Sequence, residues 1–230
     1  MGKVKIIAEA GVNHNGSVEL AKELIIHAKE CDVDYVKFQT FITDLTISKS
    51  AKKTEYQAKN TKKAGNQYKM VKKLELSFDD FILLKEFSKN VGVGFLTSGF
   101  DNSSLDFINS LNLDYFKIPS GEITNKLLLE KISKFDKPIL LSTGMSTKAE
   151  IQNALDVLFF NKSKNDIILL HCNTEYPTPF EDVNLFAIND LREHFKMNVG
   201  FSDHTIGIEA SLASVMLGVT FIEKHFTLDK

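Results

Sequence analysis

Eight short apolar runs punctuate the sequence: VKIIAEA, DYVKFQT, GVGFLTS, DYFKIPS, PILLST, DIILLHC, NVGFSDH and VTFIEKH. Each is rich in β-branched or aromatic residues, and several are apolar on both faces. That pattern belongs to parallel strands covered by helices on the outside, not to the alternating strands of a sheet with one wet face. Helix signals fill the gaps. Ser17 precedes a stripe of Leu20, Leu24, Ile25 and Ala28, and Ser77 with Asp80 precedes Phe81, Leu84 and Phe87. Asp101 opens a segment with Leu105 and Ile108; Asn125 opens one with Leu128, Leu129 and Ile132. Thr147 and Glu150 form a capping box ahead of Ile151, Ala154, Leu155 and Leu158. Leu185, Ile188 and Leu191 mark a sixth helix, and Ile208 to Leu217 a seventh, stopped by Gly218.

Strand then helix, repeated, implies right-handed βαβ units and a parallel sheet. Eight strands in 230 residues predict an α/β fold of the (β/α)8 TIM-barrel class, one catalytic domain over 1–230. The rival is an open doubly wound sheet, and the absence of a G-x-G-x-x-G after the first strand weighs against it. One connection is long: residues 41–78 form an insertion after strand two, rich in lysine. A lid over the site and a solvated, partly helical excursion both fit it.

A net charge of −2 argues against nucleic acid as a partner, and no apolar run is long enough to span a bilayer. Cys31 and Cys172, far apart, read as reduced thiols. With no signal-peptide layout at the start, a cytoplasmic protein is expected.

Barrel enzymes work at the C-terminal ends of their strands. Those ends turn polar here: Glu9; Lys37 and Gln39; Thr97 and Ser98; Lys117, Ser120 and Glu122; Ser142; Asn173 and Tyr176; Ser202 and His204; His225. A lysine inside an apolar strand is the sharpest of these signals, because burying an ammonium costs several kcal/mol unless an anion compensates. Two such lysines with serine hydroxyls make an anion site suited to phosphate or carboxylate. The alternative is that each lysine pairs with a buried glutamate such as Glu9, Glu122 or Glu223. His204 and His225 end strands seven and eight, and strand eight abuts strand one in a closed barrel. The two imidazoles suit either a divalent metal completed by water or substrate oxygens, or direct contact with substrate. His27 and His194 read as exposed, His171 as bonded to backbone, and His14 as either.

The motifs IIAEAGVNHNGS, VKFQTF, KIPSGEITN, LSTGM, HCNTEYPTPFEDVNL, GFSDHTIG and FIEKHFTLDK, in this order from about residue 4 to the end, closely resemble the sialic acid synthases, the N-acetylneuraminate synthase family. The resemblance implies condensation of phosphoenolpyruvate with an N-acetylated hexosamine, N-acetylmannosamine in the leading case, to give N-acetylneuraminate and phosphate. A 6-deoxy di-N-acetylated hexose, as in legionaminic or pseudaminic acid synthases, is the alternative, and a non-catalytic binding module is a third reading. It implies Mn2+ or Mg2+ held by His204 and His225. It implies a phosphoenolpyruvate clamp of Lys37, Lys117, Ser120, Ser142 and Ser202 with Asn173 or Thr174, and sugar-side residues Glu9, Gln39, Asn60, Ser98, Glu122 and Tyr176. Glu122 or Glu9 would manage protons. The stretch FLTSGFD departs from the family's Ser-Thr-Pro order and leaves open whether Thr97 or Ser98 faces the ligand. Relatives are homodimers with a barrel followed by an antifreeze-like domain. The sequence is therefore expected to lack the last barrel helix and that domain, and to be metastable where strands eight and one lose their cover.

Overall fold

A computed structural model of the chain describes residues 3–52 and 65–229. Eight parallel strands form a closed barrel: β1 Lys5–Gly11, β2 Tyr35–Thr40, β3 Gly94–Gly99, β4 Phe116–Ile118, β5 Ile139–Ser142, β6 Ile167–Cys172, β7 Asn198–Asp203 and β8 Phe221–His225. Closure rests on the pairing of β1 with β8, which runs from Lys5 opposite Phe221 to Glu9 opposite His225. That pairing removes the open-sheet alternative.

The helices among the described residues are α1 Val18–Glu30, α2 Thr43–Thr46, α3 Gln67–Lys72, α4 Phe78–Val91, α5 Asn102–Ser110, α6 Lys126–Ser133, α7 Lys148–Leu158, α8 Ala187–Phe195 and α9 Glu209–Met216. Their starts follow the residues the sequence marks. The side chains of Ser17, Asp101 and Asn125 accept the backbone N–H three residues on. Ser77 with Asp80 and Thr147 with Glu150 form reciprocal capping boxes. Each cap satisfies an N–H that the helix itself leaves unpaired, worth about 1 kcal/mol. α8 has no side-chain cap. Its placement comes instead from Ile188, Leu191 and Phe195, buried against the barrel.

The insertion after β2 contains α2 and α3, stapled to each other. Glu75 accepts the Thr43 N–H at 2.9 Å and its hydroxyl at 2.5 Å, and Lys72 bridges Glu75 and Asp44 at 2.8 and 3.1 Å. Asp101 accepts the Ile42 N–H and so anchors the root of the excursion to the top of β3.

Inside the barrel the floor is aromatic. The Lys5 ammonium donates to the Tyr115 hydroxyl at 2.8 Å and lies 4.9–5.7 Å from the ring centres of Tyr35, Tyr115 and Phe221. Cation–π attraction and the hydrogen bond together keep this cation stable at the N-terminal mouth. The floor excludes a side chain at Gly200 on β7: a Cβ there would lie 2.6 Å from Leu170 Cδ2 and 2.9 Å from both the Phe221 Cβ and carbonyl oxygen. Leu170 could rotate, but the β8 backbone cannot. Gly200→Ala is therefore expected to destabilise the chain by about 1–3 kcal/mol, the usual cost of overpacking. A urea midpoint equal to wild type would contradict this packing.

Candidate active site

Strand alternation points every second residue into the barrel, and the contacts identify which ones. Above the aromatic floor, four charged side chains from β1, β2, β4 and β8 meet: Glu9, Lys37, Lys117 and Glu223, none more than 4% exposed. Lys37 Nζ lies 2.5 Å from Glu9 Oε2 and 3.7 Å from Glu223 Oε2, and Lys117 Nζ lies 3.1 Å from Glu223 Oε1. Ser202 donates to Glu223 Oε1 at 3.0 Å, and Gln39 to Glu9 Oε1 at 3.4 Å. Both strand lysines are thus ion-paired to glutamates. This is the glutamate pairing that the sequence offers beside an anion site. Glu122 is not among the partners: it sits in the turn after β4 and accepts from Asn125 Nδ2 at 2.8 Å.

The electrostatics follow from this geometry. Burial disfavours the Lys37 ammonium, but Glu223 and Glu9 outweigh it and hold its pKa above the ordinary lysine value. Burial likewise works against the Glu223 carboxylate, and Lys117 and Lys37 outweigh it, keeping Glu223 ionised well below the usual carboxylate range. Two ammonium and two carboxylate groups sum to zero formal charge.

The imidazoles stand next to this layer. His204 Nδ1 is 2.7 Å from the Asn173 carbonyl oxygen. A carbonyl only accepts, so Nδ1 carries the proton and Nε2 keeps its lone pair. Burial, then the neighbouring His225, depress the His204 pKa to about 4, so the ring is neutral at pH 7. The His204 and His225 ring centres are 5.3 Å apart, and the Tyr176 ring lies 4.4 and 5.6 Å from them. His225 is placed from outside the cluster, because Glu9 O accepts the Phe226 N–H and Phe226 O accepts from Asn13 Nδ2. A cavity of about 330 Å³ opens here, lined by Tyr176, Pro177, Asp203, His204, Thr205, Lys224 and His225. The donor chemistry fits a divalent cation: two imidazoles side by side, one with its far nitrogen committed to a carbonyl. Among the described residues no three His, Cys, Asp or Glu side chains gather to hold an ion, so such a cation would rely on these two rings and on water or substrate oxygens.

Ser120 belongs to a neighbouring group. Its hydroxyl accepts the Gly144 N–H at 3.0 Å and lies 3.2 Å from Cys172 Sγ. Thr174 sits above the same glycine, and Ser142 ends β5 and is buried. Ser98, opposite Gln39 and Lys117 in the register, is buried, and its hydroxyl has no hydrogen-bond partner among the described residues. Thr97 is bonded to Thr40 at 2.8 Å, so Ser98 is the hydroxyl that stands beside the charged layer. Asn173 Nδ2 donates to the Asp182 carbonyl and shapes its own loop. Asn60 lies outside the described residues.

Three of the remaining histidines take ordinary structural roles. His171 Nε2 donates to Val183 O at 2.8 Å, and His27 and His194 are exposed. His14, open from sequence, is fully buried beside Phe38, and its Nδ1 accepts the Gly16 N–H. Three residues at the site carry no role in the sequence reading: Cys172 and Gly144 at the Ser120 group, and Glu223 as a site residue in its own right. Glu223 had a signal, since Glu223 and His225 are two apart on one strand and share a face.

The NeuB family model matches residues 24–230. The N,N'-diacetyllegionaminic acid synthase of Campylobacter jejuni is 53% identical over 100% of this chain and 69% of its own length. The synthase of the same name from Legionella pneumophila is 46% identical over 98% of this chain and 64% of its own. The N-acetylneuraminate-9-phosphate synthase of Drosophila melanogaster is 38% identical over 99% of this chain and 61% of its own. Among solved structures, the N-acetylneuraminic acid synthetase of Leptospira borgpetersenii superposes with a TM-score of 0.86 at 34% identity, over 99% of this chain and 74% of that one. This chain thus spans roughly three fifths to three quarters of the proteins it matches.

Two predictions follow from the buried groups. Replacing Glu223 with Gln leaves Lys117 buried without its anion, and a loss of about 3–5 kcal/mol is expected from urea denaturation. A loss below 1 kcal/mol would mean the cluster is not held by charge. For pH, burial holds His14 at about 4 against an ordinary 6.5. Between those values the unfolded chain binds more protons, so stability is full above pH 6.5 and falls as pH drops towards 4. His14→Asn keeps an acceptor for Gly16 and removes the titration. It should lower stability at pH 7 yet flatten the decline between pH 6.5 and 5; an unchanged slope would clear His14.

Proposed function

The chain belongs to the NeuB family, and on that premise we propose that it condenses phosphoenolpyruvate with an N-acetylated hexose and water, releasing phosphate and a nine-carbon keto acid. The observation that carries the reading is the meeting of Lys37, Lys117, Glu9, Glu223 and Ser202 beside the His204–His225 pair at the mouth of the barrel.

Phosphoenolpyruvate brings a phosphate and a carboxylate. Lys37 and Lys117 are fixed in direction by the glutamates, so they receive an anion without first being ordered. Ser98, Ser142 and Ser202 add hydroxyls around them, and the Ser120–Gly144 group adds another at the end of β4. Because the lysines are already balanced by Glu9 and Glu223, they alone do not neutralise the incoming ligand. His204 and His225 would hold a divalent cation, Mn2+ or Mg2+, which supplies the remaining positive charge and polarises the aldehyde oxygen of the open-chain sugar. The enol methylene carbon attacks the aldehyde carbon, water adds at the pyruvyl carbon, and the tetrahedral intermediate loses phosphate. Gln39 and Tyr176 border the sugar side, with Asn60 a further candidate there. Glu122, outside the ion cluster and half-buried, is the better placed of the two acids to move a proton; Glu9 is committed to Lys37.

For the sugar, the 53% and 46% identities to N,N'-diacetyllegionaminic acid synthases against 38% to an N-acetylneuraminate-9-phosphate synthase favour a 6-deoxy di-N-acetylated hexose. N-acetylmannosamine, giving N-acetylneuraminate, is the second reading, supported by the likeness to the Leptospira synthetase.

The test is phosphate release from phosphoenolpyruvate with Mn2+, offering each sugar in turn. Release with the di-N-acetylated sugar is expected. Release with N-acetylmannosamine alone would transfer the assignment to the second reading, and none with any sugar would remove the condensing activity. Glu122→Gln should lower turnover about 10²–10⁴-fold with phosphoenolpyruvate binding retained; full turnover would clear Glu122 of a proton-transfer role.

A further inference from the structure

Beside the two imidazoles, at the edge of the same cavity, Asp203 and Lys224 form an ion pair that is not bonded to the buried Glu9–Lys37–Lys117–Glu223 cluster. Asp203 and Lys224 are opposite one another in the β7–β8 register. Their side chains point away from those of Ser202, His204, Glu223 and His225, and meet with Nζ 2.9 Å from Oδ2. Asp203 is fully buried. Its Oδ1 accepts the Thr205 N–H at 2.9 Å and the Thr205 hydroxyl at 2.8 Å, and its Oδ2 also accepts the Ser211 hydroxyl at 2.5 Å. The Lys224 ammonium makes a second bond, to the Thr205 carbonyl at 2.9 Å.

One ammonium therefore grips the residues on both sides of His204, and its own backbone is the residue before His225. The hydrogen bonds around Asp203 hold the turn after β7, and the reach from Lys224 sets the distance between the two strand tips. A buried carboxylate of this kind could stabilise the fold with any cation nearby. The bridge from Lys224 to the Thr205 carbonyl is different, because it fixes the very segment that carries the ligand ring.

We propose that Lys224 is a positioning residue: through its bonds to Asp203 and the Thr205 carbonyl it sets the relative placement of His204 and His225, and so the affinity of that pair for a divalent cation. This rests on the reading of the imidazole pair as a cation site.

The experiment titrates the chain with Mn2+ alone and counts free ion by its electron paramagnetic resonance signal. Wild type, Lys224→Met, Lys224→Arg, Ser211→Ala and His204→Ala are compared, with melting temperature and metal-free phosphoenolpyruvate affinity measured alongside. His204→Ala should abolish Mn2+ binding. Lys224→Met should weaken it about 10–100-fold, the usual effect of removing a group that orients a ligand, with phosphoenolpyruvate affinity unchanged, and Lys224→Arg should recover most of the loss. Should Lys224→Met not fold, Ser211→Ala, which removes one bond to Asp203 and no charge, should show a smaller loss of the same kind. Wild-type Mn2+ affinity in both Lys224→Met and Ser211→Ala, with binding lost in His204→Ala, overturns the inference and leaves the cation site standing. A parallel loss of Mn2+ affinity, phosphoenolpyruvate affinity and melting temperature also overturns it, since that is general loosening. No Mn2+ binding by wild type removes the cation site and this inference with it.

Discussion

Glu223 lies between two ammonium groups, Lys117 at 3.1 Å and Lys37 at 3.7 Å, and Glu9 closes the other side of Lys37 at 2.5 Å. These four side chains come from β1, β2, β4 and β8, and only a closed barrel brings them together. The dependence runs both ways. If β8 did not return beside β1, Glu223 would be lost to both lysines; Lys37 would keep Glu9, but Lys117 would remain in the interior without its anion. The barrel is thus closed by backbone pairing and confirmed by charge: an arrangement that misplaces a strand leaves an unpaired buried ion, at several kcal/mol each.

Around that layer the fold divides its labour along the barrel axis. The N-terminal mouth is sealed by Lys5 among three aromatic rings, and one continuous hydrophobic core runs from Ile7 to Ile222. The C-terminal mouth carries the imidazoles, Tyr176 and the loops after β4, β5 and β6. Backbone groups there are used as tools. The Asn173 carbonyl fixes the tautomer of His204, and the Gly144 N–H fixes the rotamer of Ser120. These are interactions across strand ends, so their precision comes from the sheet and not from the loops themselves.

Much of this was legible in the sequence because it is local. Strand runs of both-face apolar residues, and caps such as Thr147 with Glu150, are encoded within a few positions, and the helix starts fall where those residues stand. The choice between Thr97 and Ser98 was not legible, because it depends on which face of β3 turns inward; Thr97 is taken by Thr40 from β2. The fate of the lysines was not legible either. Whether Lys117 meets a ligand or Glu223, 106 residues away, is decided by ring closure, which leaves no trace in any window of sequence. The importance of Asp203 and Lys224 is hidden for the same reason: alternation shows that they face away from His204 and His225, and only the β7–β8 register shows that they face each other.

The pairing of the lysines with glutamates bears on function in a way that composition could not reveal. A buried ion network adds little net stability over a well-packed apolar one of equal volume, and barrels of this kind are ordinarily filled with layers of branched apolar side chains. Here the floor is aromatic around Lys5, and the layer under the open mouth departs furthest from that rule, with four charged side chains. Stability gives no reason for the exception, while the anion binding proposed above would. Glu223 and Glu9 keep the Lys37 ammonium charged against its burial, and both lysines are held in fixed directions by their glutamate partners. Under the proposed function, an arriving anion would meet fixed donors instead of mobile ones, and the balancing carboxylates would make its binding depend on further positive charge nearby. The two imidazoles stand on the side of the cluster where that charge would have to come from.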